Sequence, residues 1–353
     1  MARIDHGLAF MLQFENVAWY EQGTVRILDR RIYPIREEFV VCKDYREVAQ
    51  AIRDMVTQSA GPFYAAAMGM VLAAYQAKDL KDPMAFMQEA AHVLSHARPT
   101  TVTRMKNITD DCLAAAHKAL QNGTDLVESV RQYAVSMMEF RYENIQRNAE
   151  HLVDLFPDKG VVLTQCFAET IIGMMIRESQ QRGKQIELIC PETRPFLQGA
   201  RLTASVARDQ NCPVTVITDN MPGFAIRQKH VDLFTTGTDA ICMDGHVVNK
   251  VGTFQIALAC KYFGVPYYVT GSPDRGCPTI DSVHIEERDP EESVHFLGTR
   301  TAKEGVRGWY PAFDITPPEL VTAVVTDKGA FAPDKLADYF ADEEEGAFRV
   351  ARA

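Results

Sequence analysis

Through residue 155 the apolar positions recur every three or four residues, the period of an α-helix with one buried face. The pattern predicts helices in "YREVAQAIRDMV" (45–56), "PMAFMQEAAHVLSHA" (83–97), "DDCLAAAHKAL" (110–120) and "DLVESVRQYAVSMMEFRYENIQRNAEHLVDL" (125–155). Methionine and phenylalanine on those stripes read as packing. A short β-like opening, "VRILDRRIYPIREEFVVCKD" (25–44), comes before them. At Pro157-Asp158-Lys159-Gly160 the period changes. Short β-branched runs ("GVVLTQC", "IELICPE", "PVTVITD", "DLFTTGTDAI", "VPYYVTG") now alternate with helical stretches such as "ETIIGMMIRESQQRG" and "GTFQIALACKYFG". Such alternation predicts βαβ units: a parallel, doubly wound sheet with helices on both faces and right-handed crossovers. The expected class is α/β. A smaller, mainly helical N-terminal domain spans 1–155, a Rossmann-like parallel-sheet domain spans 156–345, and a charged tail at 346–353 frays.

In a doubly wound sheet the working residues gather at the carboxyl ends of the strands, where the loops open onto one crevice. Those ends carry Cys166, Glu192, Asp219-Asn220, Asp239 and Gly271-Ser272. Any one of these acids alone reads as a helix cap, and Cys166 alone as a small hydrophobe. Delivered together to one edge, they describe a polar floor with a thiol and carboxylates facing a small molecule. Cation and amide candidates for a phosphate lie nearby. "VNKVGTFQIALA" places Asn249, Lys250, Gly252 and Thr253 at an expected helix start, where N–H groups and the helix dipole attract anions. "ETRPFLQGARL" adds Arg194, Gln198 and Arg201, and "HARPTTV" adds Arg98. No GxGxxG, GxxxxGKS or GxSxG occurs, so dinucleotide, P-loop and serine-hydrolase chemistry have no local support. His246 and His284 read as loop histidines.

Composition narrows the field. A net charge of −10 over 353 residues speaks against a nucleic-acid partner, which calls for a basic face. No apolar run approaches the roughly 20 residues that span a bilayer, and the N-terminus shows no signal-peptide pattern, so no membrane association is expected. The eight cysteines include no CxxC pair. That predicts free thiols in a reducing cytoplasm, no disulfides and no metal site, with Cys190, Cys212, Cys242 and Cys260 filling the core.

Five stretches carry a resemblance: "ETRPFLQGARLTA" (192–204), "VITDNM" (216–221), "GTDAI…VNKVGT" (237–253), "IEERDPEE" (285–292) and "GWYPAFDITPPEL" (308–320). Together they resemble the methylthioribose-1-phosphate isomerase family, whose cousins are ribose-1,5-bisphosphate isomerases and the regulatory subunits of the eukaryotic initiation-factor exchange complex. The resemblance covers nearly all of the chain after about residue 15. It implies a homodimeric aldose–ketose isomerase that takes a 5-substituted ribose 1-phosphate, without metal or other cofactor. The family's catalytic cysteine maps onto Cys166 and its aspartate onto Asp239, ten residues before Asn249. Its phosphate contacts map onto Arg98, Gln198, Asn249 and Lys250. In that scheme Asp239, with a pKa raised by burial beside Phe167 and Ala240, protonates the ring oxygen, and Cys166 handles the carbon-bound hydrogen.

The chain also departs from the family. An early "R-G-A-P" is replaced by "TQSAGPFY" (57–64), which removes an arginine and leaves Gln58 and Ser59 nearby. A lost charge-assisted contact to phosphate costs on the order of 1.5–3 kcal/mol, so another cation, with Arg104 and Lys106 as candidates, is expected to compensate or the ligand differs. Phe167 stands for an asparagine after the cysteine, and "DGH" (244–246) for "N-G-D". Isomerase is the leading expectation. A non-catalytic sugar-phosphate or nucleotide sensor, or an assembly subunit, is the alternative, and a dehydrogenase lacks its glycine fingerprint.

Overall fold

The computed structural model describes residues 3–98 and 102–341, and it divides into two compact units, one ending at Glu143 and the other beginning at Asn144. The tail expected at 346–353 lies outside the described residues. In the first unit a one-turn helix, α1 (Phe14–Val17), leads into a three-stranded antiparallel sheet of β1 (Ala18–Glu21), β2 (Thr24–Leu28) and β3 (Phe39–Cys42). Then come α2 (Tyr45–Arg53), α3 (Gly61–Ala77), α4 (Pro83–Ser95), α5 (Val102–Asn122) and α6 (Leu126–Asp154). The Asp44 and Asp82 carboxylates accept the N–H groups of Arg46 and Ala85, satisfying donors that a helix start leaves open. Helix α3 departs from the striped pattern. Every residue from Gly61 to Ala74 is buried, because the helix runs through the unit against α2, α4, α5 and β1. The division between units falls inside α6, ahead of the change of period at Pro157, since α6 continues as one helix of 29 residues.

The second unit alternates as expected: β4 (Lys159–Leu163), α7 (Thr170–Gln181), β5 (Gln185–Pro191), α8 (Ala204–Asp209), β6 (Val214–Ile217), α9 (Pro222–Gln228) and β7 (Leu233–Thr236). A short excursion, β8 (Ala240–Ile241) and β9 (Val247–Lys250), precedes α10 (Thr253–Phe263) and β10 (Tyr267–Thr270). After α11 (Glu291–Val294) and the hairpin β11 (His295–Phe296) and β12 (Thr299–Arg300), the chain adds β13 (Phe313–Thr316), β14 (Ala323–Thr326) and β15 (Gly329–Phe331).

Seven strands form one sheet in the order β15-β14-β10-β7-β4-β5-β6, parallel throughout except for β15. Leu163, Ile189, Phe234, Val269 and Val324 make a row across five of these strands, packed with Ile226 of α9 and Ile256 and Cys260 of α10. From β4 the chain winds outward through β5 and β6, then returns to β7 on the other side of β4. The chain thus changes direction between β4 and β7, and their carboxyl ends mark the switch point at which open α/β sheets bind ligands. A second sheet, β13-β9-β8, is antiparallel and pairs Phe313 with Lys250 and Asp314 with Asn249.

One expectation fails in this unit. Cys242, read as a free thiol in the core, is disulfide-bonded to Cys277. The segment after β8 and the loop after β10 run side by side, with Asp274 N–H on Ile241 O (3.0 Å) and Met243 N–H on Cys277 O (2.8 Å). Their Cα atoms thus stand 4.8 Å apart across 35 residues of sequence, a proximity that no local cysteine spacing announces. Cys190, Cys212 and Cys260 are buried and unbonded, as expected of core filler.

Between β5 and α8 the helix opens as one widened turn, Gly199–Thr203. A Cβ on Gly199 would meet the Pro191 carbonyl oxygen at 1.8 Å, so only glycine fits there. Gly199→Ala is expected to lower unfolding free energy by about 1–3 kcal/mol, the usual cost of overpacking. A urea midpoint unchanged from wild type would contradict this.

Candidate active site

Beyond Leu163 the chain leaves the sheet after one more bond, Thr164 N–H to Ile189 O (3.0 Å). It then turns through two non-glycine residues with left-handed backbone, Cys166 (φ 61°) and Glu169 (φ 55°). Such conformations cost about 1 kcal/mol or more each and persist only where neighbours enforce them. The enforcing bonds come from the loop after β5. Cys166 N–H donates to Thr193 Oγ1 (3.2 Å), and Thr203 Oγ1–H donates to Cys166 O (2.5 Å). Thr193, itself at φ 65°, is held in turn by Asp219, whose carboxylate accepts the N–H groups of Thr193 (2.7 Å) and Arg194 (2.6 Å). Glu192 stands half-buried beside Asp219, with its carboxyl pushed above the ordinary range by burial first and by Asp219 second.

The Cys166 side chain is partly exposed. Desolvation pushes the thiol up to about 11, against a downward pull from Lys250 and Arg288, while Asp239 adds a smaller upward push. At neutral pH it is therefore a protonated thiol, a proton donor rather than a thiolate.

Asp239 follows β7 on the connection to β8. Its N–H bonds Val248 O (2.9 Å), and the neighbouring Thr238 hydroxyl lies within hydrogen-bonding reach of both Ala240 O (2.7 Å) and Val248 O (2.9 Å). This frame directs the Asp239 side chain to solvent, where it is exposed. Burial beside Phe167 and Ala240 does not occur. Phe167 packs inward (5% exposed) instead.

Asn249 and Lys250 lie on strand β9 rather than at a helix start, and both are buried. Asn249 Nδ2 donates to Thr253 Oγ1 (3.1 Å), which donates to Lys250 O (2.7 Å). The Lys250 ammonium, 4% exposed, has no hydrogen-bond acceptor among the described residues. It lies 4.9 Å from the Phe313 ring centroid and 5.7 Å from that of Tyr310. Burial draws its pKa below the usual lysine value, opposed most by Cys166. A desolvated ammonium without a hydrogen-bond acceptor is favoured by an anion brought beside it.

The helix start that looked like an anion site is already filled. Asp314 of β13 accepts the N–H groups of Gly252 (2.6 Å) and Phe254 (3.2 Å) ahead of α10. Desolvation lifts its carboxyl to about 6. Nothing in "AFDITPP" distinguished Asp314 from a loop acid; only the pairing of β13 with β9 brings it there.

Arg194 and Arg201, both phosphate candidates by sequence, serve the scaffold. Arg194 donates to the carbonyls of Pro195, Glu292 and His295, and Arg201 donates to Phe196 O. Their long side chains reach backbone oxygens of folded loops, which sequence spacing does not reveal. Gln198 is buried next to the widened turn at Gly199. Arg98 follows α4 in the first unit, partly exposed, whereas Cys166, Gln198, Asp239, Asn249 and Lys250 belong to the second. Of the two cations expected to compensate for the early arginine, Lys106 is ion-paired with Asp110, and the Arg104 side chain lies outside the described residues. His246 pairs with Asp244 (3.1 Å), as suits a loop histidine.

Cys166, Asp239 and Lys250 thus share one electrostatic neighbourhood with Arg288 and Glu286. Sequence reading passed over the last two, although "IEERDPEE" contains both.

A mixed α/β chain with a parallel sheet, a thiol after β4 and a buried lysine on the neighbouring antiparallel sheet is the class defined by this geometry. A model described as the initiation factor 2 subunit family matches residues 59–333, and the chain belongs to that family. The methylthioribose-1-phosphate isomerase of Desulforamulus reducens is 33% identical over 332 residues, which cover 90% of this chain and 96% of that protein. The crystal structure of 5-methylthioribose 1-phosphate isomerase from Pyrococcus horikoshii matches with a TM-score of 0.80 at 26% identity, covering 92% of this chain and 95% of that one. That of translation initiation factor eIF-2B, subunit delta, from A. fulgidus matches at 0.77 and 30%, covering 90% and 96%.

The carboxyl of Asp314 gives a pH prediction. Its folded pKa, about 6, exceeds the 3.8 of an unperturbed aspartate, so the native state binds the extra proton between those values. This group's stabilisation is complete below pH 3.8 and is lost as pH rises through 6. Relative to Asp314→Asn, wild-type stability should fall by up to about 3 kcal/mol from pH 4 to pH 7. Parallel urea-midpoint curves for the two proteins across that range would refute the assignment.

Proposed function

We propose that this chain is an aldose–ketose isomerase that converts a 5-substituted ribose 1-phosphate, with 5-methylthioribose 1-phosphate as first candidate, to the ribulose 1-phosphate. The observation that carries the reading is the conjunction at one switch-point crevice of a neutral thiol, a solvated carboxylate and a buried ammonium without an acceptor. Relatives bearing the isomerase name, matched over nine-tenths of the chain, support it.

The 1-phosphate locks the sugar as a ring. Isomerisation must break the bond between C1 and the ring oxygen, protonate that oxygen, move the C2 hydrogen to C1 and remove the C2 hydroxyl proton as the carbonyl forms. Oxidation at C2 balances reduction at C1, so the reaction calls for no external redox cofactor. A thiol with a pKa near 11 suits proton donation to the ring oxygen. The exposed carboxyl of Asp239 suits acceptance of the C2 hydroxyl proton. This reverses the roles expected from sequence, because Asp239 is exposed and Cys166 is the desolvated group. Lys250 seats the phosphate, with Asn249 and Gln198 as further contacts.

The same reading extends to organisation. A Rossmann-like second domain at 156–345 is supported by the strand order, and a helical domain at 1–155 by helices α1 to α6. Among the described residues no helix is long and apolar enough to cross a membrane. A cytoplasmic homodimer is the proposed form.

Incubation with a panel of pentose 1-phosphates, followed by NMR for the ketose, tests the activity. Cys166→Ala and Asp239→Asn should each lower kcat by about 10²–10⁴-fold with an unchanged circular dichroism spectrum. Absence of turnover on every member of the panel overturns the proposal, and a near-wild-type rate in either variant overturns the role given to that residue.

A further inference from the structure

Two cations share one aromatic wall. The Lys250 ammonium lies over Phe313 and Tyr310, and the Arg288 guanidinium carbon stands 5.8 Å and 5.9 Å from the same two ring centroids. The wall is built by strand pairing: Phe313 sits opposite Lys250 in the β13–β9 ladder, and Arg288 N–H bonds Tyr310 O (2.9 Å). Arg288 is further fixed by Nε, which donates to Glu286 Oε1 (3.1 Å), and its side chain is only 14% exposed. Its charge and that of Lys250 repel, and both bear on Cys166. Burying two like charges against common ring faces is unfavourable unless an anion joins them. Glu286 pairs with Arg288, while the Lys250 ammonium has no acceptor among the described residues, which leaves a place for a ligand anion.

We propose that Arg288 is a specificity-determining residue which, with Lys250, forms a two-cation seat for the phosphate dianion of the substrate. The inference rests on the sugar-phosphate reading of the site. Glu286 already pairs with Arg288, and the guanidinium together with the unpaired Lys250 ammonium still presents two cationic groups to a phosphate, which attract the dianion more strongly than the monoanion. The planar guanidinium can present paired N–H donors to two phosphate oxygens, which an ammonium cannot.

The test compares wild type with Arg288→Gln, which keeps a polar stem of similar reach, and Arg288→Lys, which returns the charge. Thermal stabilisation by inorganic phosphate is measured from pH 5 to pH 8, and kcat and KM are measured on the pentose 1-phosphate that turns over. Wild type should gain stability from phosphate more strongly above pH 6–7, where the dianion prevails. Arg288→Gln should lose most of that gain and raise KM by about 10- to 100-fold with kcat little changed, and Arg288→Lys should recover part of both. Phosphate stabilisation lost in Arg288→Gln and regained in Arg288→Lys supports the inference even where no sugar turns over, an outcome that defeats the isomerase reading alone. Equal phosphate response in wild type and Arg288→Gln, equal loss in both variants, or no response in wild type overturns it.

Discussion

Asp219 accepts two adjacent backbone N–H groups, those of Thr193 and Arg194, and the geometry of the site follows from that pair of bonds. They hold Thr193 in a left-handed conformation, so that its hydroxyl oxygen faces the Cys166 N–H across the gap between the loops after β4 and β5. Cys166 is thereby kept in a conformation that an isolated chain avoids. Three successive strands thus contribute one residue each to a single hydrogen-bonded lace, and the thiol is aimed by a carboxylate it never touches.

Burial then assigns the chemical characters. Desolvation acts on Cys166 and Lys250 in opposite senses, keeping the thiol protonated and weakening the hold of the ammonium on its proton. The α10 amino terminus, which supplies anion-binding N–H groups in many α/β proteins, is here occupied by the Asp314 carboxylate. Under the proposed function, recognition of an anion therefore falls to the side-chain cations on the Tyr310–Phe313 wall rather than to these backbone amides.

The segment where the chain departs from its relatives is firmly built. Arg30, fully buried, donates to Gln58 O (2.8 Å) beneath the stretch that replaces the early arginine. A Cβ on Gly61 would come within 1.8 Å of Thr57 Oγ1, so the path of this turn is set by close packing. The substituted stretch is thus held by close packing and by the buried Arg30.

The sequence by itself determined what repeats locally. Period and β-branched runs settled the βαβ alternation, the helical first unit, and the placing of Cys166, Glu192, Asp219, Asp239 and Ser272 after their strands, because each depends on neighbours in the chain. Helix α3 gave no stripe, since a helix buried on all sides has no polar face to mark its period. Tertiary structure alone decided everything that depends on pairing between distant segments. Asp314 caps α10 because β13 lies against β9; Arg194 and Arg201 reach carbonyls of folded loops; Cys242 meets Cys277; Asp239 faces water. Burial and hydrogen-bond partners are properties of the assembled surface, and a polar residue's spacing in sequence carries neither.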